Sequence, residues 1–204
     1  MPEWVIQWGE GRLSRLPEHR NAGLELVHVY RGRLEWQVEG REHVLGPGDL
    51  FYTLPWERHG SLAEYEPGHE WAYVVIRAAG NDRPSFEIDS SIGMAEQDRL
   101  ALAQCLGASP ARKVCGGAES SAAMRGLVSD LRAQDPWAQR SANLRAQQLL
   151  LLLARRLTDN PTEQRPETNS LVSRLAAQIE KGIDRPWSLA DLAAETGLGR
   201  TRLS

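Results

Sequence analysis

The chain ends in a group of polar side chains whose types and spacing suit contacts with DNA. Arginines and hydroxyl residues are interleaved here, and the group consists of Arg200, Thr201, Arg202 and Ser204. Guanidinium groups bind phosphates, whereas hydroxyl side chains can reach base edges in the major groove. We therefore expect Thr201 and Ser204 to read bases and the two arginines to contact the DNA backbone. Lys and Arg also outnumber Asp and Glu from residue 140 onward, which is compatible with a nucleic-acid partner.

The segment that presents these side chains has the pattern of a helix-turn-helix over residues 188–204. Ser188 can cap a first helix, and Asp191 stands three residues on in the capping-box position. Gly197 stands where the chain must turn, and Leu203 faces inward from a second helix. The chain ends about one turn into that helix, so we do not expect this fragment to bind DNA by itself. An ordinary helical hairpin has the same spacing, and both interpretations stay open at this point.

Composition and charge limit the class of protein. The chain has 204 residues, a hydrophobic fraction of 41% and a net charge of −3, which is typical of one large or two small globular domains. An N-terminal signal sequence is not evident, and the longest apolar run, residues 149–154, is much shorter than the roughly 20 residues of a membrane span. Cys105 and Cys115 form neither a disulfide framework nor a metal-binding pattern. We expect a cytoplasmic protein without a membrane segment.

The period of the apolar residues changes near residue 90. Between Leu24 and Arg77, short or alternating apolar runs are separated by turn signals such as Gly32 and the GPGD sequence at 46–49. This pattern predicts short antiparallel strands in a sandwich or barrel. The period then becomes helical, and the predicted helices are 94–106, 119–133 and 138–158.

Two stretches resemble the AraC family of bacterial transcription regulators. Residues 27–60 (VHVYRGRLEWQVEGREHVLGPGDLFYTLPWERHG) are similar to its cupin-type sensor domain, and residues 171–204 (LVSRLAAQIEKGIDRPWSLADLAAETGLGRTRLS) are similar to the start of its DNA-binding domain. The resemblance implies an α+β fold. An antiparallel double-stranded β-helix of the cupin or jelly-roll type would precede helices and the start of an all-α helix-turn-helix domain. Trp56 replaces the glycine of the family's usual PPGE turn, so we expect that turn to differ in shape.

The resemblance also implies a domain organisation and a homodimer. It assigns 1–90 to a cupin-like effector-binding barrel, 91–158 to a helical dimerisation region, 159–169 to a linker and 170–204 to a truncated DNA-binding domain. The linker segment is polar and contains two prolines. The helix over 144–157 is apolar around too much of its surface to cover a single core, which favours a dimer contact. A helix enclosed within its own subunit is the alternative.

A catalytic cupin is the alternative function from another class. Such enzymes hold a transition metal with a His-x-His pair, a glutamate and a later histidine. Glu25 and His59 stand at the positions of the glutamate and the late histidine, but the places of the pair fall near Glu18 and Arg20, with His19 out of phase. An arginine beside the metal would repel the cation. We therefore predict no bound metal, no other cofactor and no catalytic residue.

Strand parity predicts which side chains line the lumen of the barrel. Alternation along the strand that contains Glu25 places Arg31 inside and His28 outside, and in a later strand Trp71 and Tyr73 face inward. The resemblance implies that Arg31 can contact a sugar-type effector. Core packing is the alternative for each aromatic side chain. The predicted effector-binding residues are Glu25, Arg31, Trp36, His59, Trp71 and Tyr73.

Tryptophan and tyrosine side chains suggest how a ligand would be enclosed. Trp36 and Tyr52 are predicted wall residues of the lumen, and Trp4 and Trp8 lie in an N-terminal arm that can close it or merely cap the barrel. Together with an arginine and a histidine, such a set suits a polar molecule whose C–H face stacks on an aromatic ring. A carbohydrate fits that description.

Overall fold

The computed structural model describes residues 1–11, 15–62, 69–80, 85–133 and 135–159. Contacts between Cα atoms divide the chain into two units, Met1–Pro161 and Thr162–Ser204. The predicted linker and helix-turn-helix lie outside the described residues, and so do the predicted DNA contacts Arg200, Thr201, Arg202 and Ser204.

Two antiparallel sheets enclose a lumen in the described part of the chain. The strands are β1 (Val5–Glu10), β2 (Gly23–Arg31), β3 (Leu34–Val38), β4 (Arg41–Leu45), β5 (Asp49–Thr53), β6 (His59–Ser61), β7 (Glu70–Ala79), β8 (Glu87–Ile88) and β9 (Lys113–Cys115). The larger sheet has the order β1-β7-β2-β5-β9, with β8 paired to β7, and the smaller sheet has the order β4-β3-β6. The predicted antiparallel barrel is confirmed.

Three helices follow the barrel strands: α1 (Glu96–Ala108), α2 (Gly117–Arg132) and α3 (Pro136–Asp159). Their ends differ from the predicted ends by at most two residues. β9 lies between the predicted helices 94–106 and 119–133 and pairs with β5 at the edge of the larger sheet. The sequence does not predict this strand, because a three-residue strand acquires its conformation from its partner rather than from a period of its own.

The strands of the larger sheet separate two cores. On β2, Val27 and Val29 point into the lumen, whereas Leu24 and Leu26 belong to the core beneath the helices. The lumen core consists of Val27, Val29, Leu34, Trp36, Val38, Leu45, Phe51 and Trp71. The predicted alternation along β2 is therefore confirmed as far as Val29.

Two aromatic side chains, Tyr52 and Trp4, lie in the core beneath the helices and not at the lumen. Tyr52 belongs to the core beneath the helices, where its Oη donates to the carbonyl oxygens of Leu106 (3.1 Å) and Ala111 (2.8 Å). The prediction that Tyr52 lines the lumen is wrong, because its neighbour Phe51 occupies the inward position. Trp4 is also fully buried in the core beneath the helices, and its Nε1 donates to Oδ1 of Asn143 on α3 at 2.7 Å. Trp4 therefore anchors the N-terminus to a helix.

α3 buries one side within the subunit and exposes a row of apolar side chains on another. Most of its leucine run is buried, namely Leu149, Leu150, Leu152 and Leu153. Trp137, Leu144 and Leu151 are 77%, 66% and 48% exposed, and they follow one another at intervals of seven residues. This interval places them along one line of the helix surface. Within the described ranges, neither α3 nor another helix is long and apolar enough to span a membrane.

Candidate functional site

A buried ion pair joins the two sheets inside the barrel. Glu25 on β2 and His59 on β6 bring Oε2 and Nε2 to 2.9 Å, and their side chains are 4% and 0% exposed. On the other side of the ring, His59 Nδ1 lies 2.9 Å from the carbonyl oxygen of Glu57. Because a carbonyl oxygen only accepts, Nδ1 carries a proton, and Glu25 favours a second proton on Nε2.

The surroundings of the pair favour the charged form of the histidine. Burial alone would lower the pKa of His59, but the hydrogen bond and the negative charge of Glu25 oppose burial and raise the pKa above its ordinary value. Thr53 Oγ1 donates to Glu25 Oε2 at 3.4 Å, which stabilises the carboxylate. The sequence motifs do not predict this partner. Thr53 could have been found only from the register of β2 and β5, which places it opposite Glu25.

Aromatic rings surround the ion pair in the lumen. Trp36 is stacked on His59 at 6.4 Å between ring centroids and meets Trp71 edge-to-face at 6.0 Å. Trp71 lies beside Tyr73 at 5.7 Å, and Gln7 Nε2 donates to the Tyr73 hydroxyl at 2.9 Å. Trp36 is fully buried, and its Nε1 has no hydrogen-bond partner among the described residues. Buried indole N–H groups usually have one, so Trp36 presents a donor that an acceptor inside the lumen could satisfy.

The structure brings together most of the predicted effector-binding residues. Glu25, Trp36, His59, Trp71 and Tyr73 converge in the lumen. Arg31 does not, because its side chain is exposed at the end of β2. The pairing of β2 with β7 shifts register between Val29 and Arg31, and this irregularity breaks the alternation on which the prediction depended. The predicted position of Arg31 inside the lumen is therefore wrong, while a contact between Arg31 and an effector stays a prediction.

Residues 5–66 match the family model described as Cupin domain. This part of the chain is similar to cupin domains. The match covers β1 to β6, which carry the Glu25–His59 pair and Trp36, and it confirms the cupin fold implied by the sequence resemblance. A search of curated proteins gives no match.

Several solved structures are similar to all or part of this chain. KdgF from Halomonas sp. is 21% identical over 37% of this chain and 70% of its own, with a TM-score of 0.30. The AraC-like transcriptional activator CuxR is 11% identical over 90% of this chain, with a TM-score of 0.43. ToxT from Vibrio cholerae O395 is 11% identical over 98% of this chain and 74% of its own, with a TM-score of 0.45. The present chain spans 59% of the length of CuxR.

A short segment before β2, the strap (residues 16–19), covers one edge of the cupin barrel. His19 and His59 exchange backbone hydrogen bonds of 2.9 Å, and Ser61 N donates to the carbonyl oxygen of Leu16 at 3.0 Å. Gly60 permits this close approach, since a Cβ atom there would lie 2.9 Å from Leu16 O and 3.0 Å from the backbone of Glu18. The strap thus extends the smaller sheet beside the ion pair.

The barrel brings together two of the residue types with which a catalytic cupin holds a metal. Glu25 Oε2 and His59 Nε2 lie 2.9 Å apart. His19 lies edge-on to His59, with 4.5 Å between ring centroids, but its Nδ1 is 3.0 Å from the carbonyl oxygen of Pro17. Within the described ranges, no group of three or more His, Cys, Asp or Glu side chains is placed to hold a metal ion.

Proposed function

We propose that this chain is the sensory part of an AraC-type transcription regulator, in which the cupin barrel binds a small polar effector such as a sugar. The observation that carries the proposal is the buried Nε1 of Trp36, which has no acceptor among the described residues and lies beside the ring of His59. A hydroxyl or ring oxygen of the effector would accept this hydrogen bond. Its C–H face would pack on the rings of Trp36 and Trp71.

A cupin enzyme is the competing function. Its metal would need Glu25 Oε2, His59 Nε2 and at least one further ligand. Within the described ranges, no third His, Cys, Asp or Glu side chain is placed to complete such a site, which supports a barrel that binds without catalysing. Stoichiometric iron, manganese or nickel in the purified protein would overturn the assignment as a sensor.

The proposed regulator works on DNA in the cytoplasm. Arg200, Thr201, Arg202 and Ser204 would contact DNA in the intact protein, with one binding domain on each subunit of a homodimer. An effector that binds one packing of the barrel and its dimer contact better than another would change how the two DNA-binding domains are spaced.

We expect Trp36→Phe to weaken effector binding about tenfold, because it removes one desolvated N–H donor and keeps an aromatic ring. The measurement is calorimetric titration with a panel of pentoses, hexoses and uronates. Trp56→Phe is the matched control, since Trp56 belongs to the core outside the lumen, and it should leave affinity unchanged. A panel without any heat of binding, or equal affinities for both variants, would contradict a lumen sugar site.

We expect Leu144→Glu to convert the homodimer into a monomer. Trp137, Leu144 and Leu151 form an exposed row at heptad spacing, which suits a helix of a second copy, and a buried carboxylate in that seam would be costly. Sedimentation velocity of both proteins at micromolar concentration measures the change. Arg156→Glu, a substitution of an exposed residue near the end of α3 and on another face from the row, controls for added negative charge. A wild-type protein that sediments only as a monomer would contradict the dimer.

A further inference from the structure

A cavity, here called the outer cavity, lies at the edge of the barrel, between the β3–β4 hairpin, the turn before β6 and the loop between α1 and β9. Its volume is about 450 Å³, which lies in the range of small-molecule sites. The side chains that give it chemical character are Glu39, Arg41, His43, Trp56, Glu57 and Arg112.

Glu57, the buried carboxylate of this outer cavity, is already satisfied. Both oxygens of Glu57 accept from Arg112, at distances from 2.7 to 3.0 Å, and Oε2 also accepts from Leu54 N at 2.9 Å. Glu39 is exposed, and its Oε1 accepts from Arg58 N at 2.7 Å. Glu57 therefore has little capacity left for a cationic ligand.

Two basic side chains of the outer cavity, Arg41 and His43, have fewer partners than Glu57. Arg41 is exposed and forms no ion pair with a described residue. Burial lowers the pKa of His43, and the positive charges of Lys113, Arg112 and Arg41 lower it further, against the opposing charge of Glu57. The electrostatic field at the His43 ring is thus positive, which favours an anion beside it.

An apolar wall lies opposite these basic groups. Trp56 is 8% exposed and lines the outer cavity, and its ring is held edge-to-face against Phe86 at 5.8 Å. A tryptophan ring fixed in this way offers a flat surface to a flat ligand. Trp56, which replaces the glycine of the usual PPGE turn, therefore supplies part of the wall of the outer cavity.

We propose that the outer cavity is a second binding site, which takes a small organic carboxylate with a flat apolar body. Arg41 binds the carboxylate through its guanidinium fork, the neutral His43 ring donates a further hydrogen bond, and Trp56 packs against the body. The site adjoins the lumen core, because Val38 belongs to both and His43 pairs with Trp36 across β3 and β4, but Glu25, Trp36 and Trp71 are absent from its lining. It does not depend on the proposed sugar sensor.

Phenylacetate and its uncharged isostere phenylacetamide test this proposal on the full chain. NMR signals of the His43 ring and the Trp56 indole should shift saturably with phenylacetate, and the pKa of His43 should rise in the complex, because a bound anion stabilises the imidazolium. Phenylacetamide should bind at least about tenfold more weakly, since it lacks the charge that Arg41 pairs with.

Variants locate the phenylacetate site. Arg41→Gln should weaken phenylacetate about tenfold, whereas the matched control Arg33→Gln, at an exposed arginine that pairs with Glu35 and is absent from the cavity lining, should not. Trp71→Phe should leave this affinity unchanged even if it weakens sugar binding, because Trp71 lies on β7 and is absent from the cavity lining. The absence of saturable shifts, equal binding of the amide, or loss of binding in Trp71→Phe would overturn the outer site.

Discussion

Replacing Glu25 with alanine is expected to lower the free energy of unfolding by about 3–5 kcal/mol at pH 6, because removing one partner of a buried ion pair leaves the other charge uncompensated. Glu25 Oε2 lies 2.9 Å from His59 Nε2, and both side chains are almost fully buried. Without Glu25, burial dominates at His59 and favours the neutral ring. The variant must then release a proton that the wild-type protein keeps.

The loss caused by Glu25→Ala should decrease as pH rises. The pKa of His59 is raised in the folded protein, so the stability from its charged form is fully present below the unfolded pKa of 6.5. It is lost as pH rises through the higher folded pKa. Urea unfolding at pH 6 and pH 8.5 measures both values.

Glu35→Ala is the matched control for the ion pair, because Glu35 is 42% exposed in its pair with Arg33. This surface pair should contribute at most about 1 kcal/mol at either pH. An equal loss for Glu25→Ala and Glu35→Ala, or a loss for Glu25→Ala that does not change with pH, would contradict a charged pair in the lumen.

Acid is expected to destabilise the fold through His28, by up to about 3 kcal/mol between pH 6.5 and pH 4. His28 is fully buried, with Nε2 2.7 Å from Ser121 Oγ and Nδ1 3.3 Å from Ser120 Oγ on α2. Burial, together with the charge of Arg125, lowers its pKa to about 4. The stability from the neutral ring is therefore fully present above pH 6.5 and is lost as pH falls toward 4.

His28→Gln tests this acid limb, because glutamine keeps a polar side chain and does not titrate. The free energy of unfolding of the variant, measured from pH 7 to pH 4, should fall less steeply than that of the wild-type protein. Parallel curves would show that another group causes the acid loss. Because His28 favours higher pH and His59 favours lower pH, the two histidines limit the range of highest stability from opposite sides.

The local patterns of the sequence predicted the barrel and the inward direction of most site residues. Alternation along β2 correctly places Val27 and Val29 in the lumen, because the alternating direction of side chains is a property of the strand itself. It fails at Arg31, where the register shift against β7 depends on the partner strand. The predicted side of Tyr52 is wrong and β9 was not predicted for related reasons, since both depend on long-range pairing and packing.

The site chemistry was less predictable than the strands. The sequence marks Glu25 and His59 as positions that resemble cupin metal ligands, but it does not show that they pair with each other. The missing acceptor of Trp36 Nε1 is equally invisible to local patterns, because it depends on every side chain that packs around the ring. Predicting such features needs the geometry of both sheets.

β9 limits how far the chain can be shortened before its larger sheet is exposed to water. A chain cut after residue 90 would keep the cupin match at 5–66 but lose β9 and the three helices. The backbone of β5 would then be an open edge where Leu50 now pairs with Val114, and the apolar face that contains Ile76 would meet water. Open edges and large apolar patches promote aggregation. An expressed sensor should therefore extend at least to the end of α3.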